Sequence, residues 1–343
     1  TALTDLAELL PAEEYDEAER QSRQKCPLQN NDPANEKTED LTIEIADQRF
    51  FDENYVSALD RYAQYLKDFP GGKYDFQAHY YRGQCLEKTG RKDDALLDYE
   101  YIYKASSPNE FTVKALKAAA DIQFAKGNRL AATELYTAMQ DKSNRYEDRL
   151  AAQFGRAEVA FSNEDYPTAR NDYLAIFSDP NTTDYSRTKA RVKLAACDYF
   201  LGSKDEAFTQ FKELEGKNLN TFGAESQYYI SRILFDRKEY TESQKNVLVF
   251  NDRYSNYNYW KARAFLVLAE NYLAVQDSFQ AIGTLESVIS SLSTRNEYPD
   301  IKAQAQKRLD EIKALYRDAS HQGEAPEPEK PKDEVKDMIE ENK

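Results

Sequence analysis

The chain has 343 residues and a mass of 39.6 kDa, and its 41% hydrophobic content, with 25 tyrosines and 17 phenylalanines, is enough for a substantial core. A net charge of -15 and an isoelectric point near 4.8 exclude a nucleic-acid surface, whose phosphates demand concentrated Lys and Arg, and disfavour anionic lipid. No run of about 18 apolar residues occurs, so no membrane-spanning helix is expected.

In chain order, the N-terminal stretch comes first. The chain opens at Thr1 without an initiator Met, so a processed or truncated N-terminus is expected. Residues 13–25 read as the second helix of an incomplete repeat, with Ala18 as its small residue, and 26–40 read as a polar segment containing Pro and Asn. Residues 1–38 are therefore set apart as a partial repeat and connector.

From there to residue 298 one period governs the sequence. Ala58, Ala95, Ala132, Ala169, Ala207, Ser243 and Ala281 recur at intervals of 37, 37, 37, 38, 36 and 38 residues. Four residues beyond each stands a large side chain: Tyr62, Tyr99, Tyr136, Tyr173, Phe211, Val247 and Leu285. Residues four apart share a helix face, so each second helix carries a notch one turn before a knob. Twelve residues before each anchor lies another small residue, on a first helix: Ala46, Gly83, Ala120, Ala157, Ala195, Ser231 and Ala269.

The turn within each pair falls five residues before the anchor. Gly90, Gly127 and Gly202 suit a left-handed helix end there. Glu53, Glu164, Lys238 and Gln276 stand at the same place, and those turns are expected to close differently. Between pairs, residues 69–74, 106–110, 178–186 and 253–258 carry Pro, Gly, Asn and Ser and read as short loops. Residues 299–319 predict a long amphipathic capping helix, and the acidic, Pro-containing stretch 320–343 predicts a disordered tail, with Val335, Met338 and Ile339 as one short apolar turn.

The small, small, aromatic pattern resembles the tetratricopeptide repeat over about three quarters of the chain, although the period exceeds the usual 34 residues. The resemblance implies an all-α fold, a right-handed α-α superhelix of about seven helix hairpins with a C-terminal cap. The run 53–103 is similar to repeats of bacterial envelope proteins that assist outer-membrane assembly and envelope coordination. Phe69, Pro70, Tyr74, Ala78, Tyr81, Gly83 and Gly90 carry that likeness. It implies a periplasmic or outer-membrane-associated location.

No catalytic, cofactor or metal site is expected. His79 and His321 are the only histidines, and neither belongs to a cluster of carboxylates or thiolates at ligand spacing. Cys85 is six residues from His79, on roughly the opposite side of a helix, and Cys26, Cys85 and Cys197 form neither a disulfide framework nor a thiolate site. Gly71-Gly72 lacks the lysine and hydroxyl that cradle a nucleotide. Paired acids such as Glu13-Glu14 and Asp93-Asp94 read as first-turn residues.

In a stack of helix pairs the first helices line the inner surface, where places two, five, nine and twelve project inward. Ten residues at those places are the candidate contacts: Tyr80, Gln84, Lys117, Asp121, Phe154, Glu158, Tyr228, Arg232, Arg263 and Glu270. Rings with isolated charges suit an adaptable peptide groove. Trp260, beside Tyr257 and Tyr259, is a further candidate hot spot or a gap filler. The expected function is a monomeric, non-enzymatic scaffold that binds a protein or peptide. A structural spacer or self-association module, and a glycan-binding module using the tyrosines, are the alternatives.

Overall fold

Helices joined in pairs by turns with a left-handed residue make up the described part of the protein. The computed structural model describes residues 33–217, 220–293 and 298–321. Ala18, His321's tail beyond it and the apolar turn at 335–339 lie outside those residues. Among the described residues there are fifteen helices and no strand.

The chain divides into two compact units at Asn163/Glu164. Unit 1 holds α1 (Pro33–Phe51), α2 (Tyr55–Asp68), α3 (Asp75–Lys88), α4 (Lys92–Tyr103), α5 (Thr112–Ala125), α6 (Arg129–Lys142) and α7 (Tyr146–Ser162). Unit 2 holds α8 (Tyr166–Ser178), α9 (Asp184–Phe200), α10 (Lys204–Glu215), α11 (Thr221–Asp236), α12 (Tyr240–Arg253), α13 (Asn258–Ala274), α14 (Ser278–Ser293) and α15 (Pro299–His321). In both units each helix packs on the next one, and first helices also touch the first helices of adjacent pairs. The helix α1 opens at Pro33, inside the stretch expected as a connector, because proline suits a first helical turn that needs no N–H partner.

The period is a packing rule. Every anchor from Ala58 to Ala281 and every notch from Ala46 to Ala269 is buried. So are all seven large residues, with Tyr136 the most exposed at 5%. Gly83 shows why the notch is small: a Cβ there would stand 2.7 Å from Cε1 of Tyr99, inside contact distance. The core of unit 1 is a series of local clusters. Ile43, Tyr62 and Ala78 meet across α1 to α3, Leu86, Tyr99 and Ala115 across α3 to α5, and Leu116, Tyr136 and Ala152 across α5 to α7.

A second rule escaped the sequence reading. Fourteen residues before an anchor, the first helix meets the large residue of the preceding pair: Tyr81 stacks on Tyr62 at 6.0 Å, and Tyr229 on Phe211 at 4.8 Å with the planes 5° apart. Gly155 occupies that place in α7, and the ring of Tyr136 lies where its side chain would be.

All seven turns close alike, which corrects the expectation for the four without glycine. Glu53, Glu164, Lys238 and Gln276 have φ of 59°, 60°, 63° and 64°, the left-handed region that Gly90, Gly127 and Gly202 also occupy. Paired backbone bonds fix the geometry: Lys238 N donates to Phe235 O at 2.8 Å and Glu239 N to Leu234 O at 2.9 Å, and the turns at Gly90 and Gln276 repeat the pattern. Asn54, Asp165 and Asp277 then cap the following helix by accepting from the third residue on.

The helix α15 buries Ile301, Ala305, Leu309 and Ile312 along one stripe against α14. Ala305 follows Ala269 by 36 residues, so α15 continues the series of first helices.

Candidate functional site

The ten candidate contacts fall six in unit 1 and four in unit 2. In unit 1 most of them have structural partners. Tyr80 is half-buried, 5.3 Å from the Phe111 ring, and burial pushes its phenol up to about 12. Gln84 donates to the Tyr80 hydroxyl at 2.8 Å. Lys117 pairs with Asp121 at 2.6 Å, and the other oxygen of Asp121 accepts from Tyr136 at 2.5 Å. Phe154 is 9% exposed, which leaves little of its ring for a ligand. Glu158 is half-buried beside it on α7.

Asp121 belongs to a recurring arrangement. The buried tyrosine of a second helix donates to an acid on its own first helix: Tyr62 to Asp47 at 2.6 Å, Tyr99 to Glu87, Tyr136 to Asp121. Acids at places nine and twelve thus satisfy core hydroxyls that would otherwise be orphaned. The cost shows at Asp47, whose carboxyl burial holds above its ordinary 3.8 although Tyr62 and Gln77 both donate to it.

His79 is likewise committed. Its Nδ1 lies 2.6 Å from the buried Asp98 carboxylate, which also takes Nε of Arg82 at 2.9 Å, and its ring stacks on Tyr101 at 4.1 Å. These contacts join α3 to α4. Cys85 is fully buried, and burial pushes its thiol up to about 12. No group of three or more His, Cys, Asp or Glu able to hold a metal occurs among the described residues, and no described helix is long and apolar enough to cross a membrane.

In unit 2 the four candidates converge. Tyr228 and Arg232 of α11 and Arg263 and Glu270 of α13 line one cavity of about 350 Å³. Phe235, Leu266, Val267 and Leu285 supply its apolar wall, and Gln304 and Arg308 of α15 close one side. Sequence reasoning missed Gln304 and Arg308 because it treated α15 only as a cap. The 36-residue step from Ala269 to Ala305 was the signal that α15 would face the same way as α11 and α13.

The charges of this cavity are unevenly balanced. Arg308 forks onto Glu270, Nε at 2.7 Å and Nη2 at 3.0 Å, and reaches Glu311 at 3.0 Å. Arg232 stands 3.4 Å from Asp236, which also accepts from Lys204 at 2.6 Å and Tyr199 at 2.9 Å. Arg263 has phenols instead: Nη1 donates to Tyr259 and Nη2 to Tyr228, both at 3.1 Å. Its guanidinium carbon lies 4.7 Å from the Tyr228 ring centre and 5.7 Å from that of Trp260. Burial works against its charge, and the phenol oxygens of Tyr228 and Tyr259 more than offset this, holding the group above its ordinary range. Trp260, 5.5 Å from Tyr228 and 4.9 Å from Tyr259, completes the aromatic group around the cation, which lies nearest the Tyr228 ring.

Comparison with known proteins agrees with the hairpin architecture. Residues 44–110 match the family model described as Tetratricopeptide repeat. No curated protein matches the sequence. Among solved structures, a tetratricopeptide repeat protein from Parabacteroides merdae is similar with a TM-score of 0.62 at 14% identity, over 80% of this chain and 99% of that one. The apo form of the quorum sensor NprR from B. thuringiensis has a TM-score of 0.62 at 14% identity, over 98% of this chain and 96% of that one. The C-terminal part of a TPR repeat-containing protein from Cytophaga hutchinsonii has a TM-score of 0.51 at 17% identity, over 75% and 97%. At these identities the likeness speaks for the fold.

Proposed function

With tetratricopeptide-type hairpins as the premise, we propose that the chain is a non-enzymatic scaffold that binds a protein through an extended segment at the α11, α13 and α15 face of unit 2. The cavity of about 350 Å³ carries this reading: aromatic and aliphatic walls surround a few fixed charges, and all but Leu285 of α14 come from three successive first helices. Such walls supply buried area at low entropic cost, and charges set the register of the guest. A guest of a few side chains matches the volume better than a folded surface would. Residence in a bacterial envelope is part of the proposal and rests on the likeness of residues 53–103 alone; fractionation of cells producing the complete native protein tests it.

Photoreactive residues at Phe235, Leu266 and Gln304 of the full chain test the binding role. The expected result is adducts from all three positions that map to one extended segment of one protein. Lipid adducts, or none from any of the three, overturn the reading.

A further inference from the structure

The cavity contains one cation whose charge no carboxylate balances. Among the described residues no Asp or Glu comes within ion-pair distance of Arg263, whereas Arg308 has Glu270 and Glu311 and Arg232 has Asp236. A guanidinium carries five N–H donors in a planar fork. Arg263 directs one to each of two phenols, which leaves three for a guest. Stacking on Tyr228, Tyr259 and Trp260 holds the fork in place before any guest arrives, so little side-chain freedom is lost on binding. The protein as a whole carries -15, which keeps extended anions away, so attraction for a negative guest is confined to this one positive, half-buried group.

We propose that Arg263 receives the side-chain carboxylate of an Asp or Glu in the bound peptide, with an adjacent apolar residue of the same peptide against Phe235, Leu266 and Leu285. A single unbalanced positive charge matches a carboxylate better than a doubly charged phosphate, and the apolar wall beside it matches a peptide better than a small anion. This rests on the peptide-binding reading of the same cavity, and it adds the guest's chemistry. Glu270 then acts as a selectivity device: by taking Nε and Nη2 of Arg308, while Glu311 takes Nη1, it leaves Arg263 as the receptor for a guest carboxylate.

The test uses the full chain to select from a random dodecapeptide display library, followed by fluorescence polarisation with a selected peptide and its Glu-to-Gln or Asp-to-Asn counterpart. Selected sequences are expected to be enriched in an acid next to an apolar residue. The amide counterpart is expected to bind at least about tenfold more weakly to the wild type, and Arg263→Met is expected to abolish that difference. Selection without acidic enrichment, or an acid-to-amide ratio unchanged in Arg263→Met, overturns the proposal and leaves peptide binding intact. Recovery of no peptide from the chain, with and without residues 322–343, overturns both readings. Should Arg263→Met not fold, Glu270→Gln decides: releasing Arg308 is expected to tighten the acidic peptide several-fold, and an unchanged or weaker affinity overturns the proposal.

Discussion

Glu53, Glu164, Lys238 and Gln276 hold a left-handed backbone that costs an L side chain about 1 kcal/mol relative to glycine. At Glu53, Lys238 and Gln276 the paired bonds of the turn hold the backbone there, and three sister turns already use glycine. Glu53→Gly and Lys238→Gly are each expected to raise stability by about 0.5–1 kcal/mol, read as a higher urea midpoint with an unchanged slope. A lower midpoint would show that the side chains contribute more than the strain removes. Cys85 offers a second check at this scale. With its thiol fully buried and pushed up to about 12, it should resist iodoacetamide at pH 8 in the folded protein and react on unfolding, as peptide-level mass mapping will show.

Between neighbouring elements, acids on first helices serve tyrosines on second helices, and this pairing carries a pH signature. Burial raises Asp47 above its unfolded value of 3.8, so the folded state keeps a proton that the unfolded chain has released. The native state gains below that window and loses the gain as pH rises through the raised value, opposite to a salt-bridged carboxylate. The stability difference between wild type and Asp47→Asn should therefore shrink as pH increases from 3.8, and a difference that grows instead refutes the assignment. Asp121, one of these acids, and Gln84, which donates to Tyr80 on its own helix, both read as groove residues in the sequence. Their spacing places them on the inner stripe of a helix, but spacing says nothing about the hydroxyl that reaches over from Tyr136 or the bond that Gln84 makes to Tyr80. Arg232, Arg263 and Glu270 lie on the same stripe and stay partly exposed, while Tyr228, 8% exposed, joins them as a core residue at the cavity wall; their convergence follows from the period. Gly155 went unremarked in the sequence, since its purpose depends on a ring contributed by the previous pair.

At the scale of the whole chain, the fold class and the hairpin count could be read because one packing rule repeats seven times and each copy confirms the others. The division at Asn163/Glu164 could not, since the period runs through it unbroken. Cores built from neighbour-to-neighbour clusters predict that damage stays local. Gly83→Ala places a Cβ against the ring of Tyr99 and should speed hydrogen exchange in α3 and α4 while α11 and α13 keep their protection. A uniform rise across the chain would indicate a single cooperative body instead.

The cage around Arg263 has a practical corollary. Trp260 is the only tryptophan of the protein, and its ring centre lies 5.7 Å from the guanidinium carbon of Arg263, which lines the cavity. Indole emission responds to a nearby charge, so a guest that neutralises or displaces Arg263 is expected to change the signal. The molecule thereby carries an unlabelled optical gauge of occupancy at the place where occupancy matters.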